Sequence, residues 1–381
     1  MNISRLSVSS LGCAIVLLAG CGPKDGNKEF EQGKEAYELR DLTKAAKLFE
    51  TSLGYAPENV DRLMYLARVK LDLGELTEAK DLVGRAALQV EDDVDVRMLS
   101  AQIAWHLKDY ATAASLFTAL AADDKLEPSV RSQAYAGLGV VETTRDETTR
   151  DNYHLARIAY LRAIRLDRRN AAAWYHLGFL YRDSFGYLEA ALEQFEIFVR
   201  LEEEASPRVQ KVQKNVIPAL KEQIARAATE LPGAAKRNSS ACSTSISTAE
   251  AALKKGNAKA AREAYQQAFA ADPLSYPAAL GLAKAWEKTD STKAGQQKAF
   301  ESYKAACTLR SGAVSTFLAA GALAVRLGFF QQAVEIYSRA IAANPTSADA
   351  IDGLIRALRK TGGKTGVADA YQQYRDSLAK K

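Results

Sequence analysis

Few residues in this chain of 381 combine a reactive side chain with a spacing that could use it. Cys21 comes first, in the stretch LLAGCG at 17–22, where a thiol ends a run of apolar residues close to the N-terminus. The stretch KTGGKTG at 360–366 offers glycines and lysines of the kind that cradle phosphate. A phosphate loop also needs a glycine five residues before Gly363, where Leu358 stands, and a strand ahead of it. Three histidines, His106, His154 and His176, lie far apart without the spacing of metal ligands. They read as partly buried helix positions. Cys242 and Cys307 are too few for a disulfide framework, although an oxidising compartment would permit one bond. No nucleophile, base and orienting acid stand in any recognisable relation, so the sequence argues against an enzyme and calls for no cofactor or metal.

The residues before Cys21 have three parts: a short start with one charge, Arg5, an apolar core Leu11 to Leu18, and small residues Ala19 and Gly20. That order describes an export signal too short to span a bilayer permanently. LAGC, Leu18 to Cys21, resembles the bacterial lipobox. The resemblance implies a signal peptide over 1–20, cleavage before Cys21, a diacylglycerol on its thiol and fatty acid such as palmitate on the new amino group. Two or three chains hold a protein to a membrane far more firmly than one. Gly22 rather than Asp follows the cysteine, which implies the outer membrane, with the protein facing the periplasm. The alternative is a plain signal peptide with a chance cysteine. The Lys-Thr-Gly at 360–362 also occurs in penicillin-binding enzymes, but no Ser-x-x-Lys partner stands out.

The elements that would position any site follow from a repeat. Ala45, Ala79 and Ala113 are spaced by one fixed lag, and Phe49, Val83 and Phe117 follow at the same lag. Short polar turns, Arg40-Asp41-Leu42, Gly74-Glu75-Leu76 and Lys108-Asp109-Tyr110, separate two apolar helical patterns in each unit. The pattern continues through Ala156 and Tyr160 and through Ala191 and Phe195. It restarts at Ala261, Ala299, Ala333 and Val367, each with a tyrosine four residues on. Nine units cover 27–204 and 242–377. Between them, Val209, Val212, Val216, Leu220 and Ile224 mark one more amphipathic helix, and LPGAAKRNSSACSTS reads as a linker.

Trp174, Leu177, Gly178 and Tyr181, with Ala191, Phe195 and the closing prolines Pro57, Pro273 and Pro345, resemble the tetratricopeptide repeat (TPR). The resemblance implies an all-α TPR α-solenoid of helix-turn-helix repeats in a right-handed superhelix. The expected organisation is a lipoprotein signal peptide over 1–20, a lipidated tether over 21–26, a first TPR array with a capping helix over 27–231, a linker over 232–245 and a second array over 246–381. Small residues such as Gly33, Gly139, Gly178 and Gly321 let two helices approach, and the large residues beside them fill the space between units.

In this family the concave groove is lined by first-helix residues facing away from the second helix. Those places hold Phe30, Lys34 and Tyr37; Met64 and Arg68; Met98, Gln102 and Trp105; and Tyr175, Phe179 and Arg182. Aromatic, methionine and arginine side chains are enriched in interface cores; the alternative is that these rings pack on a neighbouring repeat. The family's Lys/Asn clamp for a terminal carboxylate is absent from the matching places. The implied role is a membrane-tethered scaffold for an extended or helical protein segment, as in assembly or adaptor factors. Residues 246–381 carry 19 basic and 11 acidic residues, against 31 and 35 over 22–245. An anionic polymer such as peptidoglycan is therefore an alternative partner for the C-terminal half, unless its dispersed lysines serve only solubility. Nucleic acid is not an expected partner.

Overall fold

A computed structural model describes residues 25–90, 92–230, 237–362 and 365–379. Cys21, the expected signal segment and most of the tether lie outside them, as do 231–236 of the expected linker and Gly363 and Lys364. Regular structure among the described residues is helical, and the chain divides into two compact units at Leu107/Lys108.

The first unit holds α1 (Asn27–Glu38), α2 (Leu42–Tyr55), α3 (Val60–Leu73), α4 (Leu76–Gln89) and α5 (Val94–His106). Asp41, Asn59 and Asp93 start α2, α3 and α5, each side chain accepting a backbone N–H three residues on at 3.0–3.1 Å. Gly74 closes α3 at φ 81°, a conformation that costs glycine nothing. The lag residues Ala45, Phe49, Ala79 and Val83 are buried in one core with Leu63, Ala67 and Ile103. Gly33 lies directly under the ring of Phe49, where an added Cβ would sit 2.7 Å from the ring.

The second unit holds α6 (Tyr110–Ala122), α7 (Pro128–Thr144), α8 (Arg150–Leu166), α9 (Ala171–Phe179) and α10 (Leu188–Leu201). Then come α11 (Pro207–Lys211), α12 (Ile217–Glu230), α13 (Ser239–Lys254), α14 (Ala258–Ala271) and α15 (Tyr276–Thr289). The last five are α16 (Lys293–Leu309), α17 (Val314–Leu327), α18 (Phe330–Ala343), α19 (Ala348–Lys360) and α20 (Thr365–Ala379). A π-helical turn, Val212–Val216, joins α11 to α12 just before Pro218, which has no N–H to close an α-type bond to Lys214. Val209, Val212, Val216 and Leu220 of this stretch are buried, as their spacing predicts.

The structure divides the chain elsewhere than at 232–245. Residues 239–245, expected as linker, are the first turns of α13. Their hydroxyls are satisfied inside the helix: Ser243, Thr244, Ser247 and Thr248 each donate to the carbonyl four residues back at 2.9–3.1 Å. One core runs from Ala156 to Tyr374 and joins α8–α10 to α15–α20. Its pin is Arg157 of α8, fully buried. Its Nε donates to the Tyr371 hydroxyl of α20 at 2.8 Å and its Nη1 to the Ser338 carbonyl of α18 at 3.1 Å. The guanidinium lies 4.9 Å from the Phe185 ring. Nearby, the Tyr187 hydroxyl donates to Glu335 at 2.9 Å, and Arg150 pairs with the same carboxylate. The second-unit repeats on either side of α11–α12 therefore share a core.

Candidate functional site

On α9, an Asn170 cap accepts the Ala173 N–H at 3.1 Å and fixes where the helix begins. Leu177 and Gly178 turn into the core, and Gly178 sits against the Phe195 ring of α10, 2.9 Å from where a Cβ would be. Tyr175 and Phe179 stand beside them, half-buried. Their rings are 4.8 Å apart, edge to face; Tyr175 lies 5.0 Å from Phe198, and Phe179 lies 4.9 Å from Phe195. Past Phe179 the helix widens into a π-helical turn over Leu180–Phe185, which carries Arg182. The Arg182 guanidinium is 4.5 Å from the Phe179 ring and pairs with Asp183 at 2.6 Å; Arg208 lies 5.9 Å from the Tyr175 ring. The structure thus brings Tyr175, Phe179 and Arg182 together.

His176 stacks on Tyr160 at 5.9 Å and meets Tyr175 edge-on at 5.2 Å. Burial, helped by the Arg208 charge, pushes its pKa down to about 4. Near neutral pH it is an uncharged ring in the floor of the ledge. Trp174, the first of the repeat-signature residues on this helix, is only half-buried, and its indole N–H donates to the Arg168 carbonyl at 2.9 Å. Leu177 and Gly178 fill the core beside it. The ledge offers aromatic surface with a guanidinium beside each ring. Such a surface suits an apolar side chain flanked by hydrogen-bond acceptors.

In the first unit the expected groove residues separate. Met64 and Met98 are only 7% and 8% exposed and do not line a surface. First helices of successive repeats also touch one another, α1 with α3 and α3 with α5, and unbranched methionine fills such irregular gaps. Phe30 is half-buried against Phe49 and Tyr65 at 5.6 and 5.3 Å, with the Lys34 ammonium 5.1 Å from its ring. The Tyr37 hydroxyl donates to Asp72 at 3.0 Å; burial and that carboxylate raise its pKa. Arg68 and Trp105 are half-buried, Trp105 with its ring 4.4 Å from His106.

Two clefts in the second unit escaped sequence reasoning. One, of about 300 Å³, is lined by Tyr135, Leu138, Glu142, Arg145 and Arg162. The other, of about 570 Å³, lies between α14 and α16, with Phe269, Leu282 and Trp286 in its lining. Both place an aromatic ring on a first helix near a cation, as α9 does: Tyr135 beside Arg162 and Trp286 beside Arg262. Among the described residues no group of three or more His, Cys, Asp or Glu is placed to hold a metal, and no helix is long and apolar enough to cross a membrane.

Comparison with known proteins finds the tetratricopeptide repeat family at two places, residues 36–103 and 247–313. Solved structures give looser likenesses. Pseudomonas aeruginosa pilF is 15% identical over 70% of this chain and 98% of its own, with a TM-score of 0.39. MamA from Desulfovibrio magneticus RS-1 is 16% identical over 49% of this chain and 99% of its own, with a TM-score of 0.37. The Cut9–Hcn1 hetero-tetramer of APC/C matches at 15% identity over 93% of this chain and 79% of its own, with a TM-score of 0.35. No curated protein matches. With aromatic second-helix residues seated on first-helix glycines in both units, and family matches in both, the chain carries tetratricopeptide repeats, and its described residues fold as helical repeats.

Proposed function

We propose that this protein is a lipid-anchored scaffold of the bacterial cell envelope, held through Cys21 at the outer membrane and facing the periplasm. It serves as an assembly or adaptor factor by seating a protein segment on the Tyr175–Phe179–Arg182 ledge, and does no chemistry of its own. One observation carries the binding role: an aromatic pair stays half-open, with a guanidinium beside each ring, on a helix whose core positions Leu177 and Gly178 already fill. The LAGC sequence supports the anchor.

The anchor is tested by fatty-acid labelling. Cys21→Ser abolishes palmitate incorporation, and a variant that still labels overturns the anchor. The ledge is tested by crosslinked capture from envelope membranes. Because Tyr175 and Phe179 also pack on Phe195 and Phe198, truncating both costs fold stability as well as binding, about 2–4 kcal/mol for a largely buried ring. Arg182→Glu leaves both rings in place and isolates the binding term. Loss of one specific captured protein with Arg182→Glu, from a chain that unfolds at the wild-type temperature, is the expected result. Undiminished capture of that protein by both variants refutes the ledge as the site.

A further inference from the structure

The cleft between α14 and α16 has a different character from the α9 ledge. Trp286 of α15 has the Arg262 guanidinium 4.2 Å from its ring on one neighbouring helix and the Lys298 ammonium 4.6 Å from it on the other. Arg262 also donates to the Thr289 hydroxyl at 3.0 Å. Neither cation forms an ion pair among the described residues, although both charges act on the Asp290 carboxylate and help hold its pKa low. Asp290 accepts from the Thr292 hydroxyl and amide at 2.6 and 3.0 Å. Glu301, on the cleft wall, pairs with Lys304 at 3.2 Å, Glu287 with Arg326 and Asp272 with Arg237 at 2.9 Å. Lys298 thus lines a cleft of about 570 Å³, within the range of built ligand sites, and Arg262 lies against the Trp286 ring of its wall, in the half of the chain that carries net charge +8.

From that charge complementarity we infer that the α14–α16 cleft docks a short acidic peptide segment in which apolar side chains lie between carboxylates. The apolar residues rest against Phe269 and Leu282 beside Trp286, and the carboxylates reach Arg262 and Lys298. The arrangement asks for both parts. A purely anionic chain leaves the apolar lining wet, and a purely apolar one gives neither cation an ion pair. This site is separate from the α9 ledge, so either can fail without the other.

The probe is a fluorescein-labelled, terminally blocked hexapeptide, Asp-Glu-Leu-Phe-Asp-Glu, titrated by anisotropy against the full-length protein. Controls are the same peptide with Gly-Gly in place of Leu-Phe, and dextran sulfate. The hexapeptide binds, the Gly-Gly control binds at least about tenfold more weakly, and Lys298→Glu weakens the hexapeptide by a similar factor. Lys298 is exposed, so its reversal leaves the fold intact. Trp286→Leu, which keeps apolar volume but removes the ring under both cations, is the second variant and also weakens binding. No hexapeptide binding, equal binding of the Gly-Gly control, or indifference to Lys298→Glu overturns the inference. Dextran sulfate displacing the peptide at equal charge concentration identifies a site for anionic polymer and overturns it too.

Discussion

Adding one methyl group to different glycines should have opposite signs in this protein. Gly353 lies inside α19, and a Cβ built on it would stand 2.2, 2.3 and 2.7 Å from three atoms of the Tyr337 ring. Carbon atoms pack at about 3.5–4.0 Å, so the ring would have to retreat by more than about 1 Å. It has nowhere to go. Tyr337 is buried, and its opposite neighbour is Gly321, whose own Cβ position is 2.6 Å from the same ring. Overpacking of this kind costs about 1–3 kcal/mol and more where nothing can relax, while alanine regains about 1 kcal/mol of helix propensity. The net expectation for Gly353→Ala is a destabilisation of about 2 kcal/mol. Gly84, inside α4, has nothing within 4 Å of its Cβ position. There only the propensity term acts, and Gly84→Ala stabilises by about 0.5–1 kcal/mol.

Because the chain has two compact units, a single unfolding midpoint is not well defined, and the assay must report locally. Native-state hydrogen exchange does so. Amides of α19 and α20 should exchange about thirtyfold faster in Gly353→Ala, and those of α4 about threefold more slowly in Gly84→Ala. A neutral Gly353→Ala would mean that α19 does not sit against Tyr337, and the register derived from the repeat would fail with it.

Two further outcomes follow from buried titratable groups. His176 holds a proton only below about pH 4 when folded, whereas an unfolded histidine titrates near 6.5, so the unfolded state binds more protons between those values. Stability contributed by neutral His176 is present above about 6.5 and falls as pH drops toward 4, by up to about 3 kcal/mol; His176→Gln should flatten this fall, and an NMR midpoint near 6.5 would refute it. Burial pushes the Cys307 thiol up to about 12, so in a chain whose other cysteines are serine it should react with a disulfide reagent at least about a hundredfold more slowly folded than in urea. Equal rates would show that the α16 core is open.

What was legible in the sequence was whatever repeats. Ala45, Ala79 and Ala113 announce their burial by their spacing, and Gly178 under Phe195 or Gly139 under Tyr160 is the same small-on-large contact in other units. Tyr175, Phe179 and Arg182 share a face because helical spacing alone places them there. Features that do not repeat stayed hidden. Met64 and Met98 carry the right residue type at the right helical position, but packing between first helices covers them, and a single-helix pattern cannot report a neighbour. Ser239 to Ser245 has the composition of a linker, yet it is helix because Cys242 is buried against Ala268 and Ala278 of neighbouring helices, while its hydroxyls turn back on the helix's own carbonyls. Arg157 sits in the run ARIAYLRAIRLDRR among arginines that are mostly exposed, and its partners Ser338 and Tyr371 belong to repeats far along the chain.

That buried arginine changes how the second unit holds together. Repeats that touch only their neighbours have a free end, which must be capped by a polar face or fray. The last described helix, α20, keeps Asp369, Gln373 and Asp376 in water and buries Val367, Ala368, Tyr371 and Tyr374. Its buried face also meets α8, through the Tyr371–Arg157 bond and, further along, the Arg165 bond to Ser377 at 2.9 Å. The partners of Arg157 on α20 and α18 are a hydroxyl and a carbonyl, so its charge is held by dipoles and ring faces, an arrangement that tolerates little displacement. An apolar contact alone could slide by a turn. A guanidinium that must find Tyr371, Ser338 and the Phe185 ring together fixes one register of α18 and α20 against α8. The tyrosine that recurs four residues after Ala261, Ala299, Ala333 and Val367 in the late second helices therefore does two jobs. In Tyr265 and Tyr337 it fills the space over a glycine of the next repeat, and in Tyr371 it bonds Arg157 and ties α20 to the middle of the unit.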